Sequence, residues 1–112
     1  MTAILWADEA DYLYAQGKHD EATKSYDRAI EAAPKNAELW NSRGLDLCHL
    51  GGYEEAIESF GKALKVDPDY VDAWNNRGVV LYKQKKYDEA IRYIDKIIDM
   101  TPRLSKPGTT KV

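Results

Sequence analysis

Cysteine is almost absent from this chain of 112 residues. Cys48 stands alone, which excludes an intrachain disulfide and a thiolate-based zinc site. A single thiol fits a reducing compartment, and a cytoplasmic location is the expectation. No apolar run approaches the roughly 20 residues that a membrane span needs. The N-terminus reads Met1-Thr2-Ala3-Ile4-Leu5-Trp6-Ala7 before Asp8-Glu9, a short apolar stretch without a basic lead, so neither a secretory leader nor a membrane partner is expected. An excess of basic charge is lacking too: the formal net charge is −3. Arg103, Lys106 and Lys111 lie in the last ten residues without an acid; setting those three aside leaves 13 of 16 basic residues against 19 acids over residues 1–102, a net of −6. Nucleic-acid binders carry a basic footprint, so nucleic acid is not an expected partner.

The usual catalytic signatures are missing as well. There is no glycine-rich phosphate loop, no Gly-x-Ser-x-Gly elbow and no paired-histidine helix motif. His19 and His49 are the only histidines, one expected in a hairpin turn and one near a helix end. Cys48 and His49 are neighbours in sequence, but adjacent helical residues point about 100° apart and make a poor nucleophile–base pair. Cys48 reads as a small groove or core residue and His19 as a turn residue. The chain is therefore expected to be no enzyme and to need no cofactor and no metal.

What is present is a repeat. Trp6, Trp40 and Trp74 are each 34 residues apart, as are Pro34, Pro68 and Pro102, and Ala22, Ala56 and Ala90. Three markers sharing one period indicate a repeated supersecondary unit. Each unit reads as two helices. Over residues 37–50, Leu39, Trp40, Leu45, Leu47 and Leu50 recur at helical spacing before Gly51-Gly52 breaks the pattern. Over residues 53–66, Ala56, Ile57, Phe60, Ala63 and Leu64 recur at steps of three and four, with Glu54 and Glu55 at the positive end of the helix dipole. Asp67-Pro68-Asp69 then ends the helix, since proline cannot donate the next hydrogen bond. With 44% apolar and 31% charged residues, the composition suits long helices solvated on one side.

Trp40, Gly44, Leu47, Tyr53, Ala56, Phe60, Ala63 and Pro68 resemble the tetratricopeptide (TPR) signature over its 34 positions. Trp74, Gly78, Leu81, Tyr87, Ala90 and Pro102 carry it in the third unit; Trp6, Leu13, Ala22, Tyr26, Ala29 and Pro34 carry it in the first. The resemblance implies an all-α fold, an α-α superhelix (a TPR solenoid) of three antiparallel helix hairpins. A single domain over 1–102 is expected, with repeats 3–36, 37–70 and 71–102, followed by a basic, disordered tail over 103–112. Small Gly44 and Gly78, with Ala10 in the first unit, would let paired helices approach. The tryptophans, Tyr26 and Phe60 would supply the large buried areas.

The same resemblance implies a concave surface lined by the first helix of each unit, and hence a protein-interaction adaptor or scaffold. The expected protein-binding residues are Asp8, Asp11 and Tyr14, then Glu38, Asn41, Ser42, Leu45, Cys48 and His49, then Asp72, Asn75, Asn76, Val79, Tyr82 and Lys83. Steps of three and four keep each set on one helix face. Asn41 and Asn75 occupy equivalent positions, and each amide could hold a peptide backbone. Asp8, Asp11, Glu38 and Asp72 against Lys83 alone make the surface acidic, so a basic or neutral segment is the preferred partner. One TPR subclass grips a C-terminal carboxylate with a clamp of Lys, Asn and Arg; at the matching positions stand Ala7, Asp11, Ser42, Asp72 and Asn76. Like charge would meet a carboxylate there, so that clamp is not expected. Arg43 and Arg77, at equivalent positions, are expected to be structural, each head paired with an acid of the adjacent repeat.

The third unit departs from the pattern, with Ile94 for the large aromatic and Ile97 for the small alanine. Its last helix also carries Ile91, Tyr93, Ile98 and Met100, and no polar capping helix follows. Either these isoleucines finish the core, with Tyr93 and Lys96 shielding the edge, or Ile91, Ile94 and Ile98 form a face through which the chain pairs as a homodimer.

Overall fold

A computed structural model describes residues 2–100 and consists, over that range, of six α-helices: α1 (Ala3–Ala15), α2 (His19–Ala32), α3 (Ala37–His49), α4 (Tyr53–Val66), α5 (Val71–Lys83) and α6 (Tyr87–Met100). The basic tail expected over 103–112, and Pro102 with it, lie outside the described residues. Local chemistry sets the helix ends. The Thr2 and Asn36 side chains accept from the backbone N–H of Leu5 and Leu39, satisfying donors that the first turn leaves open. The second helices α2, α4 and α6 place acids in their first turns instead: Asp20 and Glu21, Glu54 and Glu55, Asp88 and Glu89.

The turn inside each hairpin repeats with the sequence. Gly17 and Gly51 take φ of 79° and 82°, and the equivalent Lys85 takes 65°. In each turn the residue after the left-handed one donates back to the helix, Lys18 to Leu13, Gly52 to Leu47 and Lys86 to Leu81, at 2.8–2.9 Å. That closure satisfies carbonyls at the helix end and suits glycine; a lysine there carries steric strain.

The helices pair within hairpins, α1 with α2, α3 with α4 and α5 with α6, and the hairpins stack through α2 on α3 and α4 on α5. Among the first helices, α3 and α5 also approach each other. The result is an elongated body of 53 × 28 × 24 Å.

The core alternates between hairpin interiors and junctions. Ala10, Ala22 and Tyr26 pack inside the first hairpin; Ala29, Ile30 and Leu39 close its junction with the second. Leu47, Ala56, Phe60 and Val80 follow, and then Ala63, Leu64 and Ala73. A Cβ on Gly44 would stand 2.4 Å from the Phe60 ring, so glycine permits the approach of α3 to α4. At Gly78 the same addition would meet the Tyr93 Cβ at 3.4 Å and the Ala90 carbonyl oxygen at 3.9 Å.

The tryptophans differ from expectation. Tyr26 and Phe60 are buried, but Trp6, Trp40 and Trp74 are only partly covered. They act as junction pieces: Trp40 Nε1 donates to the Pro34 carbonyl at 2.9 Å, and Trp74 Nε1 to that of Pro68 at 2.8 Å. The shared period of tryptophan and proline is thus one interaction, repeated. Arg28, Lys62 and Lys96 add to it, placed over the rings of Trp6, Trp40 and Trp74 at 4.7, 5.6 and 5.8 Å.

Candidate functional site

The residues expected to bind a partner lie on α1, α3 and α5. Between α1 and α3 lies a cleft of about 270 Å³ lined by Ala7, Asp8, Asp11, Tyr26, Glu38 and Ser42 among others. Asp8, Asp11 and Glu38 are exposed there. Asp11 is held in place by the Tyr26 hydroxyl, which donates to it at 2.7 Å. Burial and that carboxylate push the Tyr26 phenol far above its ordinary range. Further along, burial raises the Tyr70 phenol, and the charges of Asp72 and Glu38 raise it further.

Asn41 and Asn75 part company here. Asn75 is exposed, but Asn41 is 6% exposed and its side-chain oxygen accepts from Asn76 Nδ2 at 3.0 Å. The pair ties α3 to α5 in the floor of the surface, leaving Asn75 as the amide open to solvent. Leu45 and Cys48 are partly buried against the Leu47–Phe60 cluster, and burial raises the Cys48 thiol while the Lys83 charge lowers it. Asp72, Val79, Tyr82 and Lys83 are exposed along α5, with the Tyr82 ring edge-on to Tyr87.

A cluster that sequence reasoning missed closes the other end of α1. His19, expected to be an isolated turn residue, stacks on His49 with ring centroids 4.6 Å apart and planes 6° from parallel. Tyr14 Oη stands 2.7 Å from His49 Nε2, and His19 Nδ1 stands 2.8 Å from Asp46 Oδ1. Asp46 is fully buried and also accepts from the Thr23 hydroxyl. No motif announces this group, because hairpin stacking brings the start of α2 beside the end of α3. Its carboxylate has its partners within the fold, as a buried charge requires. Among the described residues no group of three or more His, Cys, Asp and Glu is arranged to hold a metal ion. No described helix is long and apolar enough to cross a membrane.

Arg43 behaves as expected: its Nε donates to Asp27 at 2.6 Å and its Nη1 to Ser59 at 2.6 Å. Arg77 does not. Its guanidinium lies 5.0 Å from the Tyr93 ring centre, and its Nε is buried without a hydrogen-bond partner.

Family models described as TPR repeat match residues 10–47 and 44–85, and one described as tetratricopeptide repeat matches 71–103. The chain belongs to the tetratricopeptide repeat family. No curated protein matches it. Among solved structures, the second TPR domain of human RPAP3, in complex with an HSP70 peptide SGPTIEEVD, is 28% identical with a TM-score of 0.83, covering 89% of this chain and 83% of that one. The second TPR of Spaghetti (RPAP3), bound to the HSP90 peptide SRMEEVD, is 27% identical at a TM-score of 0.83, covering 89% and 93%. The TPR2B domain of yeast Sti1 shares the fold at 23% identity and a TM-score of 0.86, covering 96% and 86%. The TPR array is thus an α-α superhelix of three hairpins over its described residues.

Proposed function

We propose that this TPR array is a non-catalytic interaction module that holds a neutral or basic peptide segment along the face formed by α1, α3 and α5. The observation that carries the reading is the cleft between α1 and α3, where Asp8, Asp11 and Glu38 converge beside Ser42. A lysine or arginine side chain placed there gains charge-assisted hydrogen bonds. Asn75 on α5 offers a donor and an acceptor to the peptide backbone, and Val79 and Tyr82 offer apolar contact. The RPAP3 domains hold peptides ending in Glu-Glu-Val-Asp. In this chain Asp11 and Asp72 stand at places matched to the carboxylate clamp, and their charge disfavours such an end.

Fluorescence polarisation tests the reading with two labelled peptides, an amidated tetralysine and a peptide ending in free Glu-Glu-Val-Asp. Tetralysine is expected to bind more tightly, and Asp8→Lys with Glu38→Lys to reverse the order. Tetralysine binding that is absent from the native chain, or that Asp8→Lys with Glu38→Lys leaves unchanged, overturns it.

A second reading, self-association, rests on the two ends of the stack. Ile91 and Ile94 on α6 are 54% and 51% exposed, at positions equivalent to Ile57 and the buried Phe60. Leu5 and Tyr12 on α1 are 52% and 63% exposed, at positions equivalent to the buried Leu39 and Asp46 of α3 and Ala73 and Val80 of α5. The α1 of one copy placed on the α6 of another would continue the α2–α3 and α4–α5 junctions. Light scattering over a dilution series should then show a mass rising with concentration, abolished by Ile94→Glu; a constant monomer mass excludes it.

A further inference from the structure

The unlike surroundings of Arg43 and Arg77 point to a site outside the α1–α3–α5 face. The two arginines are separated by one period, and so are their neighbours: Asp27 corresponds to Gly61, and Ser59 to Tyr93. In the first junction the guanidinium of Arg43 is satisfied by Asp27 and Ser59. In the second, the carboxylate position is empty because glycine stands there. A Cβ on Gly61 would be 3.6 Å from Arg77 Nη1, so the guanidinium lies over the glycine as Arg43 lies against Asp27. No acceptor replaces the lost carboxylate: the guanidinium lies 5.0 Å from the Tyr93 ring, but Arg77 Nε is buried and unpaired, and Arg77 makes no ion pair with a described acid. Leaving a buried guanidinium N–H unsatisfied costs more than leaving a neutral one, and the cost is recovered when an acceptor arrives.

An acceptor has room to enter. Over Gly61 opens a groove of about 640 Å³, walled by Ile57, Leu64 and Trp74, with Lys62 and Lys65 on its rim. Glu58 lines it as the one acid, while Glu54 and Glu89 border a neighbouring cleft that Arg77 also reaches. The Trp74 ring joins this groove to a second hollow of about 380 Å³ carrying Arg92, Tyr93 and Lys96, with Glu89 as its acid. Cations outnumber acids along both, and aromatic and aliphatic walls lie between them.

We propose that the groove between α4 and α5 is a second docking site, which takes an acidic peptide segment and seats one of its carboxylates on Arg77 in the place that Asp27 occupies beside Arg43. The bidentate fit of guanidinium and carboxylate favours a side-chain carboxylate, and the Trp74 wall receives the apolar residue next to it. The site is independent of the acidic α1–α3 cleft, and an array with both would hold segments of opposite charge on different faces.

The test follows the Arg77 Nε–H and Trp74 indole N–H signals by NMR in the full chain. The probe is N-acetylated, C-amidated tetraglutamate, which has no terminal carboxylate; sodium sulfate is titrated separately. Tetraglutamate is expected to shift both signals. Gly61→Asp, which restores an internal partner, is expected to weaken that binding by about ten- to a hundredfold, the range of a charge-assisted hydrogen bond. Gly61→Ala should bind as the native chain does, and tetralysine binding elsewhere should be untouched by either change. Unmoved Arg77 and Trp74 signals overturn the proposal, as does equal binding by Gly61→Asp. Equal shifts from sulfate at the same concentration also overturn it, leaving only a general anion patch. A native Arg77 signal that is lost on Glu54→Gln or Glu89→Gln, without any peptide, overturns it too, since an internal acid would then fill the site.

Discussion

Gly44 and Gly61 provide a matched pair in which packing can be measured apart from helix propensity. Both lie inside helices, α3 and α4, so replacing either by alanine gains about 1 kcal/mol of propensity. Their surroundings are opposite. A Cβ on Gly44 would meet Cε1, Cδ1 and Cζ of Phe60 at 2.4, 2.7 and 2.9 Å, and Phe60 is fully buried. A Cβ on Gly61 would meet only Arg77, at 3.6 Å, an ordinary contact. Overpacking a filled core costs about 1–3 kcal/mol. Ala10 sits at the equivalent place against Tyr26 in the first hairpin, so the fold can accommodate a methyl group there if the ring moves. In the second hairpin Phe60 is also held by Val80 from the next repeat, which limits that movement. Gly61→Ala should therefore stabilise by about 1 kcal/mol. Gly44→Ala should be less stable than Gly61→Ala by about 2 kcal/mol, a gap of about 8–16 °C in Tm for a domain near this size. Urea titration followed by helix ellipticity would measure both. A gap below about 0.5 kcal/mol, at the limit of surface effects, would refute the claim that the close approach of α3 and α4 depends on the missing Cβ.

Two further outcomes follow from local features. Lys85→Gly should raise stability by about 0.5–1 kcal/mol in the same urea assay, because it removes a left-handed non-glycine residue from the third hairpin turn. The Tyr26 phenol is held neutral in the folded chain well past its ordinary value of 10.0, so the unfolded chain loses that proton first as pH rises. Stability from this group is full below pH 10.0 and declines above it, and Tyr26→Phe should flatten that decline in denaturation profiles taken from pH 8 to 11.

The period of 34 residues carried the architecture into view before any coordinates did, because a solenoid needs the same side chains at every junction. Helix ends at Gly51-Gly52 and at Asp67-Pro68 were legible for the same local reason, since glycine and proline act on the backbone that bears them. The cations over the tryptophans, Arg28, Lys62 and Lys96, share the period as well, but charge on a helix face reads as solvated surface and only the packing set them over the rings.

What the sequence could not decide was which equivalent residues remain equivalent. Asn41 and Asn75 share a repeat position, yet one is buried under a neighbour's amide and the other is open, because α5 packs beside α3 and no described first helix follows α5. His19 and His49 meet because the hairpins stack with a particular offset, and no spacing along the chain encodes that. Arg43 and Arg77 read as one structural device until their partners are located across the junctions. A substitution on α4 then decides whether the guanidinium is satisfied within the fold or left facing a groove. Local sequence set the helices and their ends, and the repeat set the stacking; the contents of each junction, and with them the candidate sites, depend on residues far apart in the chain and are fixed only when the hairpins pack.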